Sequence, residues 1–260
     1  MAKKFKDYYG QEVAQVLADK ILSVRPDFEA SAFVSYIVQN TADKEMLQRQ
    51  DVVVDAFEMF LGKDYVSNIE LFTQILGPKL EKETGMFTEG WWLWPIGRYV
   101  ERYGLANKEI GYAFIFELTQ RFTGEFAIRP LLREYPQETL TQMHNWSQDP
   151  SVHVRRLASE GIRIRLPWAP KVDVYHQYPE QRESIWYTLK TDPSKFVQKS
   201  VANGINDLIK EDREAGLTLL KGWIAEDPSP ETKWIINHAL RWLVKKGDEE
   251  GMELLEKLMK

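Results

Sequence analysis

The chain has 260 residues, a formal net charge of −5 and no cysteine. This composition excludes disulfides, thiol catalysis and cysteine-ligated metal sites, and the four histidines form no HExxH pair, so we expect neither a metal nor a cofactor. No run of about 18 uncharged apolar residues could span a membrane, and the N-terminus lacks the apolar region of a signal peptide, so we expect a cytoplasmic protein with no membrane partner and no obligate protein partner.

Apolar residues recur at intervals of three and four along the first half of the chain, which predicts amphipathic helices. The predicted segments are residues 7–23, 27–39, 44–61, 64–76, 96–104 and 107–122. Gly77-Pro78 is a stop signal after the fourth segment. The stretch Trp91-Trp92-Leu93-Trp94, which precedes a proline, could contact DNA, but the interpretation we favour is packing between repeats.

The second half contains an internal repeat. Asp-Pro-Ser occurs at Asp149, Asp192 and Asp227, each time after a helical segment, with periods of 43 and 35 residues that are typical of two-helix HEAT-type repeats. Because aspartate is a good N-cap and proline is tolerated at the first helical position, each Asp-Pro is predicted to start a helix. We therefore expect an all-α, HEAT-like helical repeat solenoid.

The domain organisation that we expect is one solenoid domain over residues 1–260. N-terminal helices occupy 1–89, the repeats that carry the site occupy 90–247, and an amphipathic capping helix occupies 248–260.

Positive charge is concentrated in one segment of the second half. Between Pro150 and Lys171 five cations accompany one glutamate, a local charge of +4, and because the whole chain carries −5 the remainder carries −9. A basic patch on an acidic protein indicates a surface for a polyanion, which we expect to be a concave basic face of the solenoid.

Equal offsets from each Asp-Pro-Ser should lie along one surface of stacked repeats, and offsets of 7, 11 and 15 share a helix face. A solvated face would explain charged residues at these offsets, but large aromatic residues are unusual there, and other faces already supply apolar core positions. The residues at these offsets are Arg156, Glu160, Lys199, Asn203, Asp207, Trp234, His238 and Trp242.

Several segments within residues 90–245 resemble one family in order and spacing. They are Phe122-Thr-Gly-Glu-Phe-Ala-Ile-Arg-Pro130, Trp146, Val154-Arg-Arg-Leu-Ala-Ser-Glu-Gly161, Arg165-Leu-Pro-Trp-Ala169, Phe196-Val-Gln-Lys-Ser-Val-Ala-Asn203 and Asn206-Asp207. With these motifs the chain resembles the AlkC branch of the AlkC/AlkD HEAT-like DNA glycosylases. The resemblance implies that double-stranded DNA with alkylated bases is the partner, in the bacterial cytoplasm and on the nucleoid when bound. It also implies excision of 3-methyladenine and 3-methylcytosine by N-glycosidic hydrolysis, without deep base flipping.

Carried over residue by residue, the resemblance implies catalytic carboxylates at Glu125, Glu160 and Asp207. It implies a lesion contact at Trp168, for which packing of the Pro167 to Pro170 loop is an equal alternative. Any one arginine could form an intramolecular ion pair instead of a DNA contact. The DNA-binding candidates are Arg129, Arg155, Arg156, Arg163, Arg165 and Lys199, with Asn203, His238 and Arg241 as further candidates.

Two departures from the family pattern limit these implications. Gln198 stands where an arginine is usual, which would remove a cation from the DNA face, and we expect no appended immunoglobulin-like domain. Two alternatives stay open: a non-catalytic HEAT-like protein that binds bent or branched DNA, and a HEAT scaffold that binds a protein through an apolar groove.

Overall fold

The structure, a computed structural model, describes residues 4–84 and 89–259, and the regular elements within these ranges are helices. The chain divides into two compact units, Met1–Leu131 and Leu132–Lys260. The expected organisation as one domain over residues 1–260 stays a prediction. No helix in the described ranges is both long and apolar enough to cross a membrane.

The first unit begins with the helices that the apolar periodicity predicts. Its six complete α-helices all match predicted segments to within four residues at either end. They are α1 Gln11–Val24, α2 Ala30–Thr41, α3 Met46–Leu61, α4 Tyr65–Ile75, α5 Trp94–Tyr103 and α6 Lys108–Thr119, and α7 Ile128–Glu134 begins in this unit. Side-chain caps define some starts, since Asp64 Oδ1 accepts a hydrogen bond from Ser67 N at 2.8 Å.

Aromatic packing holds the N-terminal end of α5. The Trp94 ring is buried, stacks on Phe126 with centroids 5.5 Å apart, and meets Tyr9 edge-on at 5.8 Å. The Tyr9 hydroxyl donates to the Trp91 carbonyl at 2.8 Å. Trp91 and Trp94 therefore pack against other aromatic residues of the first unit.

The second unit contains helices in pairs. In chain order the pairs are α8–α9, α11–α12 and α13–α14. Their second members α9, α12 and α14 pack side by side in that order. The predicted all-α helical repeat is thereby confirmed, and the predicted stripe lies on three adjacent helices. The helices are α8 Pro136–Trp146, α9 Val152–Glu160, α10 Val174–Gln177, α11 Pro179–Leu189, α12 Lys195–Glu211, α13 Arg213–Ala225, α14 Pro230–Lys246 and α15 Glu249–Met259.

The Asp-Pro-Ser turns precede helices, but the N-cap prediction was wrong. In the second repeat the cap is Ser194, whose Oγ accepts from Phe196 N at 3.1 Å, and serine is also the cap of the third repeat. The aspartate side chain accepts from the serine N–H two residues later, at 2.9 Å for Asp192 and at 2.7 Å for Asp149. In the second repeat the aspartate thus forms an Asx turn while the serine caps the helix, whereas Ser151 in the first repeat makes no side-chain cap bond.

Close approach of α11 and α12 depends on a glycine. A Cβ built on Gly204 would lie 2.7 Å from Cζ2 of Trp186, a fully buried ring on α11. The same side of α12 presents the predicted core residues, all of them buried, at helical spacing: Val197, Val201, Ile205 and Leu208.

The glycine contact predicts opposite effects for two alanine substitutions. Gly204→Ala should lower the free energy of unfolding by about 1–3 kcal/mol, because the added methyl has to displace a buried ring in a close-packed interior. Gly222→Ala is the matched control, since this glycine lies in α13 and an added methyl would meet no atom within 4 Å. That substitution should stabilise by up to about 1 kcal/mol through helix propensity. Urea unfolding of both variants measures the difference, and equal effects would contradict the close approach.

Candidate active site

Two of the three predicted catalytic carboxylates share one guanidinium. Arg163 Nη1 donates to Glu160 Oε1 at 2.7 Å, and Arg163 Nε donates to Asp207 Oδ2 at 2.9 Å. Glu160 ends α9 and Asp207 lies on α12, so the bridge joins the first and second repeats. Both carboxylates are 5% exposed. Two negative charges are therefore largely shielded from solvent, and the guanidinium between them is their counter-ion.

Glu160 has further partners. Ser200 on α12 is buried, and its Oγ donates to Glu160 Oε2 at 2.6 Å. The Arg156 guanidinium lies 3.6 Å from Glu160 Oε1 and sits over the Phe196 ring, 4.7 Å from its centroid. Both oxygens of the Glu160 carboxylate are therefore engaged by donors or cations.

The surroundings move the pKa values of the two carboxyls in opposite directions. Burial opposes ionisation of Glu160, but Arg156, Arg163 and the Ser200 hydrogen bond together outweigh it, so the Glu160 pKa is lowered. Burial is also the largest influence on Asp207, and there the opposing attraction of Arg163 is too small, so the Asp207 pKa is raised. The negative charge of Glu160 adds to that increase. Asp207 is therefore the more basic member of the pair.

Buried apolar residues and arginines alternate along the loop after α9, and this alternation positions the bridging arginine. Ile162, Ile164 and Leu166 are buried, whereas Arg163 and Arg165 between them point away from that apolar side. Arg163 turns toward the carboxylates, while the exposed Arg165 pairs with Glu211 on α12. The buried isoleucines thus position the guanidinium that joins Glu160 to Asp207.

Trp168 occupies an unusual backbone conformation. Its φ is 63°, it follows Pro167, and Ala169 N donates to the Leu166 carbonyl at 3.1 Å. Proline followed by a left-handed residue is the pattern of a type II turn, in which glycine is the usual second residue. A bulky side chain there costs about 1–3 kcal/mol, and such strain is concentrated at functional sites. The side chain is 49% exposed, so the turn presents it at the surface.

Arg155 makes contacts that connect two Asp-Pro-Ser turns. Its Nε and Nη2 donate to the two carboxylate oxygens of Asp192 at 2.6 and 3.4 Å. Its Nη1 donates to the carbonyls of Asp149 and Pro150 at 3.0 and 2.9 Å. These contacts are structural, and the DNA contact that the resemblance implies for Arg155 stays a prediction.

Two predicted site residues lie in the first unit, on the turn between α6 and α7 and at the start of α7. Glu125 is buried, and its Oε2 accepts a hydrogen bond from Thr123 Oγ1 at 2.7 Å. Arg129 is only 1% exposed, so a direct phosphate contact would require this part of the chain to open. The predicted roles of both residues remain predictions.

Gln198 is not on an exposed face, which corrects the expectation that it removes a cation from a DNA surface. It is buried, and its Nε2 donates to the Asp192 carbonyl at 2.7 Å. Its Oε1 accepts from Lys195 Nζ at 2.7 Å. Because the side chain points back into the turn before α12, its identity affects the turn and not an open surface.

The remaining candidates lie together on α12 and α14. Arg241 Nη2 donates to Asn203 Oδ1 at 2.7 Å, and the His238 ring stacks on Trp234 with centroids 5.0 Å apart. Lys199 is exposed on α12. The offset alignment thus brought together residues that are adjacent in the structure.

Sequence reasoning missed Ser200. The signal was present, since Ser200 precedes Asp207 by seven residues, or about two turns, and therefore shares its helix face. A small polar residue next to the buried positions Val197 and Val201 indicates a hydroxyl that needs a hydrogen-bond partner inside the protein. Within the described residues no group of three or more histidine or acidic side chains is arranged to hold a metal ion.

The comparisons with known proteins agree with this geometry. No protein-family model matches the chain. It is 33% identical over 250 residues to the uncharacterized protein YhaZ of Bacillus subtilis (strain 168), a match that covers 96% of this chain and 67% of YhaZ. Its fold is similar to Pseudomonas fluorescens alkylpurine DNA glycosylase AlkC bound to DNA containing an abasic site analogue. That similarity has a TM-score of 0.86 and 35% identity, over 98% of this chain and 69% of the other.

The chain belongs to the AlkC family. The resemblance carried by the sequence motifs is therefore confirmed. The family is one of DNA glycosylases, which are hydrolases that act on N-glycosyl bonds, and the AlkC-like helical repeat accounts for the pairing of helices in the second unit.

The Ser200–Glu160 hydrogen bond predicts a pH-dependent loss of stability in this AlkC-family chain. Because the folded pKa of Glu160 is lowered, its ionised form stabilises the fold above the unfolded pKa, and that contribution disappears as pH falls through the folded value. Ser200→Ala should therefore cost about 1.5–3 kcal/mol near neutral pH, the range for a hydrogen bond to a charged group, and less in acid. Urea unfolding across this pH range measures the difference.

Ser159 provides the matched control for that measurement. It is a fully buried serine next to Glu160 in the chain, and its hydroxyl has no hydrogen-bond partner among the described residues. The cost of Ser159→Ala should not depend on pH. A cost of Ser200→Ala that is equally constant would show that only packing was lost.

Proposed function

We propose that this chain is a DNA glycosylase that hydrolyses the N-glycosidic bond of positively charged N-alkylated bases, with 3-methyladenine and 3-methylcytosine as substrates. The observation that carries the proposal is the pair Glu160 and Asp207, held by Arg163 beside an exposed strip of cations. Similarity to AlkC, a DNA glycosylase solved with DNA containing an abasic site analogue, supports DNA as the substrate.

The chemistry of these substrates suits a site made of carboxylates. An N-alkylated base carries a formal positive charge and leaves readily, so the enzyme need not protonate it. Positive charge develops instead on the sugar, as in other glycoside hydrolyses, and a water has to be oriented for attack. Preorganised negative charge in a poorly solvated site stabilises such a transition state. Both carboxylates meet this requirement.

The two carboxylates take different roles in the proposed reaction. The lowered pKa of Glu160 keeps it ionised, so it supplies constant negative charge toward the sugar. Asp207, with the raised pKa, is the better proton acceptor and orients the attacking water. Glu125 is proposed as a further catalytic carboxylate on its motif alone.

Trp168 is proposed as the lesion contact. The π face of an exposed tryptophan attracts a cation, and the strained turn presents the ring at the surface of the loop that also carries Arg163. Contact with a base that stays close to the helix stack would not need a deep pocket. Excision without deep base flipping is therefore part of the proposal.

The proposed DNA contacts are phosphate contacts that set the position of the duplex without reading its sequence. The exposed residues Lys199 and Arg165 and the half-buried Arg156 are the best placed, and they form the proposed basic face. Arg163 contacts DNA only if it leaves a carboxylate. Arg129 is the least accessible of the candidates, and Arg155 is already engaged by Asp192.

Base release from methylated DNA tests the proposed activity. The wild-type chain should release 3-methyladenine, and Glu160→Gln and Asp207→Asn should each slow release by about 10²-fold or more, while DNA affinity stays nearly unchanged. Single-turnover kinetics with chromatographic detection of the free base provide the rates. Glu253→Gln, an exposed carboxylate on α15, is the control and should retain full activity. Binding of DNA without release by the wild type would favour the non-catalytic alternative.

The acid side of the rate profile tests the role of Asp207. Release should rise with pH as Asp207 ionises, with a midpoint above that of an ordinary aspartate, because burial raises its pKa. Arg163→Gln removes the opposing cation and should move that midpoint upward by about one pH unit or more. Arg213→Gln removes a surface arginine that pairs with Asp248 and should leave the midpoint unchanged. An unmoved midpoint in Arg163→Gln would exclude Asp207 as the proton acceptor.

A further inference from the structure

A strip of cations and aromatic rings runs along the packed helices α12 and α14, next to the carboxylate pair. Successive members on each helix are one turn apart. We call Lys195, Lys199 and Asn203 on α12, with Trp234, His238 and Arg241 on α14, the α12–α14 strip. Its contacts run across the two helices, since Lys195 Nζ lies 4.5 Å from the Trp234 ring centroid and Arg241 donates to Asn203.

The cations of this strip differ from the arginines of α9 and of the loop that follows it. Arg155, Arg163 and Arg165 each pair with a carboxylate. Within the described ranges, in contrast, no carboxylate forms an ion pair with Lys199, His238 or Arg241. Asp207 attracts Arg241, but no ion pair forms between them. A group of cations with no carboxylate in direct contact is the arrangement expected where the counter-ion is a ligand.

Hydrogen bonds to its neighbours position Arg241 without using all of its N–H donors. Its Nη1 donates to the His238 carbonyl at 2.5 Å, and its Nη2 donates to Asn203 Oδ1 at 2.7 Å. A guanidinium carries five N–H groups, so donors remain for an anion after these two bonds. Both acceptors are neutral, so neither of them compensates the positive charge of the guanidinium.

His238 is close enough to Arg241 and Lys199 to feel both charges, and its ring is held by stacking. Its ring is nearly parallel to that of Trp234, with an interplanar angle of 12°. Partial burial lowers the pKa of His238, and the positive charges of Arg241 and Lys199 lower it further. The ring is therefore largely neutral near neutral pH when no anion is bound. A phosphate between the three groups would reverse that preference, because negative charge favours the imidazolium.

We propose that Lys199, His238 and Arg241 bind one DNA phosphate, and that His238 takes up a proton from the solvent when that phosphate binds. The proposal rests on DNA being the ligand of this face, and it goes further by assigning a phosphate site and a proton-linked affinity. A phosphodiester fits because its oxygens accept from a guanidinium fork, an ammonium and an imidazolium at once.

The charged groups around His238 come from few elements. From α12 it faces Lys199, and from its own helix it faces Arg241. Helix α15 packs on α14 at Leu243, where Gly251 makes close contact. The acidic residues Asp248 and Glu250, at the start of α15, form ion pairs with Arg213 and not with His238. His238 is thus the titrating group to which a pH effect at this site is assigned.

Proton uptake on DNA binding tests the proposal. Calorimetric titration of the full chain with a duplex that carries an abasic site analogue, repeated in buffers of different ionisation enthalpy, counts the protons taken up. We expect about half a proton per complex near the pH at which free and bound His238 differ most, and close to none for His238→Gln. Wild-type affinity should rise about three- to tenfold more than that of His238→Gln between about pH 8 and about pH 6.

Matched variants show whether the proton uptake and the salt dependence belong to these three residues. His144→Gln removes a histidine on α8 that contacts Ser184, and it should take up protons as the wild type does. Lys199→Ala and Arg241→Ala should each weaken binding and reduce the dependence of log affinity on log salt by about one. Equal proton uptake by the wild type and His238→Gln would overturn the proposal, as would unchanged salt dependence in both alanine variants.

The binding readout is independent of catalysis. If the wild type bound DNA with His238-dependent proton uptake but released no base, the proposed glycosylase would fail and this phosphate site would stand. If base release occurred without His238-dependent uptake, only the phosphate site would fail. Absence of DNA binding at low salt would overturn both.

Discussion

The second unit depends on one guanidinium shared between two buried carboxylates. Two carboxylates taken out of solvent repel each other and lose hydration, and a pair of this kind is stable only with a well-placed counter-ion. Arg163 meets that need because its planar fork can donate in two directions at once, toward Glu160 at the end of α9 and toward Asp207 on α12. The bridge also fixes the position of two repeats relative to one another, so the site and the repeat packing share one interaction.

Helix α12 carries most of that arrangement. On one side it supplies Ser200 and Asp207 to the carboxylate site. It also contacts both neighbouring helices, since Gly204 admits the Trp186 ring of α11 and Asn206 Nδ2 donates to the Ala239 carbonyl of α14 at 2.6 Å. A buried amide hydrogen bond of this kind fixes the axial position of α14 relative to α12, because its loss would leave buried polar atoms without a partner. The register of α12 therefore positions the carboxylate site and the cation strip together.

Repetition in the sequence made much of this predictable. Aligning the Asp-Pro-Ser turns placed Glu160 and Asp207 on one stripe, because equal offsets in stacked repeats give neighbouring positions. The partners of individual arginines could not be read in the same way. Arg155 and Arg163 both looked like DNA contacts in a basic segment, yet each binds a carboxylate 37 or 44 residues away. Those pairings depend on how loops fold back, and local spacing contains no information on them.

The capping serines illustrate the same limit at shorter range. Asp-Pro predicts a helix start correctly. Whether aspartate or serine becomes the cap depends on which backbone N–H groups each side chain reaches in the turn before the helix. Trp168 is a similar case, since proline before it indicates a turn but not a left-handed tryptophan. Local competition among hydrogen bonds decides such details, and residue preference alone does not.

The distribution of charge explains how a chain with a net charge of −5 can present a surface for a polyanion. Screening at physiological salt limits interactions between exposed charges to about 8 Å, so a bound phosphate responds to its immediate neighbours and not to the net charge. Near the carboxylates the cations are neutralised by Glu160, Asp207 and Glu211. One or two turns away Lys199 and Arg241 form no ion pair with a described carboxylate, although Asp207 attracts Arg241. Carboxylates thus lie where a cationic base and sugar would need them, and cations outside any ion pair lie where a phosphate would need them. Because the register of α12 holds the carboxylates and these cations at different positions, one surface can contact both the base and the phosphate.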